Sequence, residues 1–183
     1  MRLLNPRYLA LTALVVAAAA MRLVPHPPNF SPIAAIALFG GACFGDRRAA
    51  FAVPLIAMFL SDCLLGLTEY GTAAFSMMPY VYGSFLLTTC LGLWVRKKPW
   101  VLRAAAATLI SAVLFFVITN FGVWLNGQLY PKTWDGLVAC YVAAIPYFGN
   151  TIVSDLLFSA IFFGAFALLT HGFADRFASS ERD

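Results

Sequence analysis

The chain alternates between long apolar runs and short polar connections. A transmembrane helix needs about 20 mostly apolar residues, and six runs come close to that length. The predicted spans cover residues 8–24, 32–45, 49–66, 77–95, 100–125 and 147–170. The connection between the first two spans holds Pro25, Pro27 and Pro28, and prolines at this spacing prevent a continuous helix. The pattern therefore predicts six helices joined by short connections.

The last apolar stretch is too long for a single span. It runs from Leu137 to Thr170 and is interrupted by Pro146, Gly149 and Asn150. Because proline and glycine weaken the interior of a helix, we expect a short interfacial helix over residues 137–146 and a separate final span.

Composition identifies the class of protein. Of the 183 residues, 62% are hydrophobic and 11% are charged, whereas a soluble domain is about half apolar and about a quarter charged. The sequence therefore predicts an all-α integral membrane protein, a six-transmembrane-helix bundle in a single domain over residues 1–183. The net charge of +4 does not indicate nucleic-acid binding, because no basic cluster lies in a soluble segment.

The basic residues predict the orientation in the membrane. In a six-span arrangement ten of the twelve lysines and arginines fall on one side, which by the positive-inside rule is the cytoplasm. We therefore expect both termini in the cytoplasm. The ten are Arg2, Arg7, Arg47, Arg48, Arg96, Lys97, Lys98, Arg103, Arg176 and Arg182, and the other two are Arg22 and Lys132.

The first apolar run has a second interpretation. The basic segment Met1–Arg7 and the alanine-rich end at Ala20 also describe a cleavable signal peptide. Cleavage would place the mature N-terminus at Met21 and leave five spans.

Two acidic residues within the apolar runs indicate a functional site. Asp62 lies near the outer end of the third predicted span, and Asp155 lies in the first turns of the sixth. A carboxylate within the bilayer costs about 2.5–3.5 kcal/mol by insertion scales, so it normally faces a bundle interior or a cavity. We expect both carboxylates to face the interior.

Polar and aromatic residues of other spans reach a similar depth in this arrangement. They predict a pocket that opens outward, with apolar walls, a few convergent polar groups and His26 on a lid loop. The predicted substrate-binding residues are His26, Asp62, Tyr80, Tyr82, Asn120, Trp124, Asn150 and Asp155.

Simpler interpretations of these residues stay open. Arg22 is the predicted charge partner and would neutralise either Asp62 or Asp155, in which case that acid would only fix helix packing. The tyrosines and tryptophans also suit an interfacial belt, and His26 also suits a solvated loop.

Motifs for catalysis do not occur in the sequence. It contains neither G-x-S-x-G nor H-E-x-x-H, and its two histidines, His26 and His171, fall on opposite sides of the membrane. An enzyme is therefore not expected. The four cysteines show no C-x-x-C spacing, which argues against a metal cluster, and no cofactor is expected.

Five segments carry a resemblance to known membrane proteins. They are PNFSPIAAIALFGGA (28–42), AFAVPLIAMFLSD (50–62), VYGSF (81–85), TNFGVWL (119–125) and CYVAAIPYFGNTIVSD (140–155). They look like a family of small bacterial membrane proteins described as transport proteins. More distantly they resemble the S components of energy-coupling-factor (ECF) vitamin transporters. The resemblance covers nearly the whole chain.

That resemblance implies an S-component-like subunit that captures a vitamin or related micronutrient from outside the bacterial inner membrane for uptake. Small residues on the first helix, here Ala13 and Ala17, would contact a transmembrane coupling subunit. The chain has no G-x-x-x-x-G-K-[ST] motif, so the ATPases would belong to that partner. The lipid bilayer is the other expected partner, and nucleic acid is not expected.

One distantly similar protein has a known type of metal ligand that can be compared with the residues of this chain. The solitary cobalamin S component of Gram-negative bacteria is associated with a cysteine as a cobalt ligand near the start of its fourth helix, where this chain has Met77 and Met78. If a corrinoid binds to this chain, His26 or Cys63 would be the candidate ligand, because imidazole and thiolate suit such metals.

Two other functions stay open at the level of sequence. An ion- or proton-coupled carrier of small solutes would use Asp62 and Asp155 as its titrating pair, although carriers usually contain internal repeats and none is evident. A structural membrane subunit would use the same carboxylates for helix packing.

Overall fold

The computed structural model describes residues 6–67, 75–96 and 100–180, with side chains for residues 8–67, 75–96 and 101–168. Within these ranges the chain forms helices and no strand, which confirms the all-helical fold. The helices are α1 (Pro6–Met21), α2 (Ile33–Cys43), α3 (Arg47–Leu65), α4 (Met78–Val95), α5 (Trp100–Asn126) and α6 (Trp134–Ser180).

Each of the first five helices begins and ends within three residues of the bounds of its predicted span, but α6 differs. It is one helix of 47 residues that contains Pro146, so the predicted break and the separate interfacial helix over 137–146 do not occur. Contacts with α5 hold the helix on both sides of the proline. Tyr141 donates a hydrogen bond to the Val117 carbonyl at 2.7 Å, and the rings of Phe148 and Phe116 lie 4.7 Å apart. Neighbouring helices commonly make a proline tolerable inside a membrane helix.

The short helix α2 lies at the centre of the bundle and contacts each of the other five helices. Its glycines permit this position. A Cβ on Gly40 would lie 2.3 Å from Pro54 of α3, and a Cβ on Gly41 would lie 2.2 Å from the Thr89 carbonyl oxygen of α4. On the α4 side, a Cβ on Gly92 would lie 2.3 Å from the Leu38 carbonyl oxygen. Small residues thus let two backbones approach closely, as is common in membrane helix pairs.

The C-terminal end of α2 is closed by a side chain from α4. The Arg96 guanidinium donates hydrogen bonds to the carbonyls of Gly41, at 2.9 Å, and Phe44. The last carbonyls of a helix have no partner within the helix and carry partial negative charge. Arg96 therefore satisfies them and joins α2 to α4.

Most of the surface of the longer helices is apolar. Large side chains such as Leu60 on α3, Leu102 on α5 and Val153 on α6 are more than half exposed, as expected where a bundle faces lipid. Four helical segments are long and apolar enough to cross a membrane, namely Arg47–Leu65, Phe75–Val95, Val101–Asn126 and Trp134–Leu168. The two remaining apolar helices, over Tyr8–Met21 and Ile33–Cys43, are shorter. The fold is therefore that of a membrane protein.

Candidate functional site

A cavity of about 490 Å³ lies between the end of α1, the loop before α2, the start of α2 and the middle of α6. This volume falls within the range of about 300–1,000 Å³ that is usual for small-molecule sites. Its described lining residues are Arg22, His26, Pro28, Asn29, Ser31, Ile33, Ala34, Leu65, Phe115, Thr151 and Asp155.

A tight turn shapes the loop over the cavity. The Phe30 amide donates to the Pro27 carbonyl at 3.0 Å, and Asn29 has φ of 60°. Proline followed by an asparagine with positive φ is the signature of a type II turn. The side-chain amide of Asn150 on α6 donates to the Pro28 carbonyl at 3.0 Å, so the turn is fastened to α6.

His26 belongs to the same loop and is exposed. Its Nδ1 lies 3.0 Å from the Pro27 carbonyl oxygen. Because a carbonyl only accepts, Nδ1 donates in this contact. His26 therefore lies on the loop over the cavity and among its lining residues.

Asp62 is paired and lies at the edge of the cavity rather than in its lining. Its carboxylate lies 2.6 Å from the Arg22 guanidinium, and both side chains are nearly buried. The Tyr82 hydroxyl donates to the same carboxylate at 2.6 Å. Arg22 also donates to the Ser61 hydroxyl at 2.5 Å. The structure thus favours the interpretation in which Arg22 neutralises Asp62, and the network ties α1 to α3 and α4.

Asp155 is buried, with 2% of its surface exposed, and its Oδ2 has no hydrogen-bond partner. The Ser31 hydroxyl is likewise buried without a partner, and both residues line the cavity. Because α6 begins at Trp134, Asp155 lies near the middle of the apolar segment Trp134–Leu168 and not in the first turns of its helix as predicted. Buried polar groups are almost always hydrogen-bonded, so these two atoms leave hydrogen-bonding capacity unused.

Six of the eight predicted site residues are not among the described lining residues of the cavity. Asp62, Tyr82 and Asn150 have the partners given above, and the polar groups of Tyr80, Asn120 and Trp124 have partners elsewhere. The Tyr80 hydroxyl donates to the Asn126 side chain at 3.3 Å. The Asn120 amide donates to the Phe116 carbonyl of its own helix at 2.8 Å. The Trp124 indole donates to the Pro131 carbonyl at 3.0 Å. Each of these polar groups therefore stabilises a helix or loop away from the cavity.

The residues predicted to contact a coupling subunit or a corrinoid differ in their exposure. Ala13 and Ala17 are exposed on α1, so a partner helix could reach them. Cys63 is half-buried on α3 and is not among the described lining residues, whereas His26 is. Among the residues described, no group of three or more metal-ligating side chains occurs.

Several residues of the site were not identified from sequence. Ser31, Asn29 and Phe115 line the cavity, and Ser61 takes part in the Arg22 network. The signal for Ser31 and Asn29 was their position in the proline-rich loop next to His26. Ser61 and Phe115 carry no such signal, because serine and phenylalanine are ordinary residues of membrane helices.

The fold and the cavity define an all-helical membrane protein with a partly polar internal cavity. The profile of a family of unknown function (DUF6580) matches residues 2–177, and the chain belongs to that family. No curated protein and no solved structure matches the chain.

Proposed function

We propose that this protein is a substrate-binding membrane transport protein of the S-component type, which captures a small solute from the outer side of the bacterial inner membrane. The observation that carries the proposal is the cavity, because two of the residues that line this space of ligand size, Ser31 and Asp155, each have a buried polar atom without a hydrogen-bond partner. A micronutrient about as large as an ordinary vitamin suits 490 Å³. A corrinoid is larger than the drug-sized molecules that such cavities hold.

The distribution of charge supports an outward-facing cavity in a six-span topology. Arg47, Arg48, Arg96 and Arg103 belong to helix ends opposite the cavity, which by the positive-inside rule would be cytoplasmic. Both termini then lie in the cytoplasm as well. Other basic residues and one histidine fall outside the residues or side chains described, namely Arg2, Arg7, Lys97, Lys98, His171, Arg176 and Arg182.

Uptake in this proposal depends on a partner. The sequence lacks a nucleotide-binding motif, so a transmembrane coupling subunit with ATPases would supply the energy. The exposed Ala13 and Ala17 on α1 suit such a contact, because small residues let helices pack closely in lipid.

Filling the cavity tests the proposal. Thr151 lines the cavity and is 7% exposed, whereas Val153, two residues further along α6, is 58% exposed. We expect the wild-type protein, purified in detergent, to release a bound small molecule that mass spectrometry detects. Thr151→Trp should lose this ligand because the indole occupies the cavity, and Val153→Trp should keep it.

Two outcomes would contradict the proposal. If Thr151→Trp and Val153→Trp retained the ligand equally, the cavity would not be its binding site. If the wild-type protein released no ligand and bound none from a vitamin mixture, the substrate-capture function would be wrong. Equal melting temperatures of the two variants would show that the comparison concerns binding rather than folding.

A second candidate, a proton-coupled carrier of small solutes, is favoured by one observation. Asp155 lies unpaired near the middle of an apolar helix, where ionisable residues often form proton relays. Asp62 is a poor second member of the pair, since Arg22 holds it at 2.6 Å. A carrier would accumulate solute in proteoliposomes under a pH gradient without any partner protein, whereas an S component would not.

A further inference from the structure

The charges around the cavity are not balanced. Arg22 lines the cavity, but its charge is compensated by Asp62 at 2.6 Å. Its guanidinium also donates to the Ser61 hydroxyl. Asp155 has no cation paired with it among the described residues. The lining therefore contains one basic residue that is already paired, Arg22, and one acidic residue that has no cation beside it, Asp155.

The remaining titratable group of the lining is His26. It lies on the exposed loop, and its Nδ1 is held by the Pro27 carbonyl. Asp155 lies instead on α6, in the buried part of the lining, one turn from Thr151. The Thr151 hydroxyl points back to the Tyr147 carbonyl of its own helix at 3.5 Å. Neither residue supplies a hydrogen bond to the orphaned Oδ2 of Asp155.

Several other residues of the lining are apolar. Ile33, Ala34, Leu65 and Phe115 supply aliphatic and aromatic surface to the cavity. A carboxyl group buried without a counter-charge favours its ionised form once a cation lies beside it. The carboxylate then accepts hydrogen bonds, and a serine hydroxyl can donate or accept them. A complementary ligand therefore has a hydrogen-bond donor group for Asp155 and Ser31 and an apolar part that packs against the apolar lining residues.

We propose that the cavity binds a small organic cation, whose ammonium or protonated ring nitrogen donates hydrogen bonds to Asp155 and Ser31 while its apolar body packs against Phe115 and Ile33. This inference rests on the proposed substrate-capture function and specifies its substrate class. Carboxylates and phosphates carry no positive charge that would compensate the Asp155 carboxylate, so we expect them not to bind beside it.

Three probes of similar shape test the charge preference directly. They are phenethylamine, a cation, phenethyl alcohol, which is neutral, and hydrocinnamate, an anion. Binding to the full-length protein in detergent is measured by calorimetry and by the shift in melting temperature. We expect phenethylamine to bind at least about tenfold more tightly than the alcohol, and hydrocinnamate not to bind. The molecule released from the wild-type protein should also be cationic.

Two substitutions of the same chemical kind separate the site from the helix. Asp155→Asn should weaken phenethylamine binding by about ten- to a hundredfold, the value of one hydrogen bond to a charged group. Asp135→Asn is the matched control, since Asp135 is exposed in the first turn of the same helix, and should leave binding unchanged. An unchanged or higher melting temperature of ligand-free Asp155→Asn would show that it folds.

The outcomes distinguish this inference from the function on which it rests. A neutral or anionic molecule released from the wild-type protein, and displaced by Thr151→Trp, would overturn the cation assignment and leave the substrate-capture function in place. Equal binding of all three probes, or undiminished binding by Asp155→Asn, would also overturn it. Absence of any bound molecule or probe would overturn both.

Discussion

The two carboxylates within the helices have opposite surroundings. Asp62 on α3 contacts the Arg22 guanidinium and the Tyr82 hydroxyl, both at 2.6 Å. Asp155 on α6 is more deeply buried, yet one of its oxygens has no partner. On sequence alone both residues are predicted to bind substrate, because each is an acid in an apolar run.

The difference separates an acid whose carboxylate is already paired from an acid that leaves a buried oxygen without a partner. The Asp62 network already satisfies its charges, so a ligand would gain little by entering it. An orphaned buried group carries a desolvation penalty of about 1–3 kcal/mol, which a ligand with the right donor would relieve. Asp155 is therefore the residue through which binding would gain affinity, and Asp62 is the residue that holds the cavity's neighbouring helices together.

The largest effect is expected from breaking the paired side of the comparison. Asp62→Asn removes the charge opposite Arg22 and leaves a nearly buried guanidinium uncompensated. Breaking one partner of a buried ion pair typically costs about 3–5 kcal/mol. We expect the free energy of unfolding to fall by that amount, as measured by denaturant titration in detergent micelles.

A compensated variant provides the control for Asp62→Asn. Replacing the whole network, with Arg22→Met, Asp62→Leu and Tyr82→Phe together, leaves no unpaired group, and apolar replacement of buried ion pairs is often neutral. The triple variant should recover most of the lost stability. If Asp62→Asn alone were as stable as the wild type, the ion pair would contribute nothing and the comparison would fail.

The second prediction concerns the hydroxyl that supports Asp62. Tyr82→Phe removes a single hydrogen bond to a charged acceptor, which is worth about 1.5–3 kcal/mol. The ring contact between Tyr82 and Phe85, with centroids 5.7 Å apart, should survive the change. Tyr80→Phe is a matched control in the same helix, because its bond to Asn126 is exposed and 3.3 Å long. Chemical denaturation should show a smaller loss for the control.

The third prediction has the opposite sign. Asp155→Leu replaces an unsatisfied buried carboxylate with an apolar side chain of similar size. In the absence of ligand we expect the free energy of unfolding to rise by about 1–3 kcal/mol, with ligand binding lost. Stability–activity trade-offs of this kind are common where a site stores an unpaired group. A large loss of stability in Asp155→Leu would mean that the carboxylate has a structural partner, as Asp62 does.

Most of the helical fold was predictable because its signals are local. Apolar runs have the length of helices, and residues such as Asp46, whose side chain accepts from the Ala49 amide at 3.1 Å, mark their starts. The length of α6 was not predictable in this way. Proline and glycine lower the stability of any helix interior, but the contacts of Tyr141 and Phe148 with α5 are tertiary and keep the helix continuous.

The site was predictable in part for the same reason. Topology predicted a similar depth for His26, Arg22 and Asp155, and they line one cavity, although Asp155 lies near the middle of the apolar segment of α6 and not in its first turns. Topology gives depth but not the direction in which a side chain points. The Asn120 side-chain amide instead donates to a carbonyl of its own helix, and the Trp124 indole donates to the Pro131 carbonyl. The direction of each side chain depends on helix rotation, which tertiary packing sets.

The smallest expected effect comes from two serines, one on each side of the comparison. The Ser61 hydroxyl accepts from Arg22 at 2.5 Å and donates to the Met58 carbonyl at 2.8 Å. The Ser31 hydroxyl is buried with no partner. A satisfied hydrogen bond contributes about 1 kcal/mol, so Ser61→Ala should lower the free energy of unfolding by about that amount.

Ser31→Ala removes a group that makes no hydrogen bond, so it should leave the ligand-free stability unchanged or slightly higher. With ligand present Ser31→Ala should lose more stability than Ser61→Ala, because Ser31→Ala loses a contact to the bound molecule and Ser61→Ala does not. Denaturation curves with and without ligand measure both differences in one experiment. Equal losses of stability in the two variants, with and without ligand, would mean that the surroundings of Asp62 and of Asp155 are equivalent. The cavity would then be a packing defect rather than a binding site.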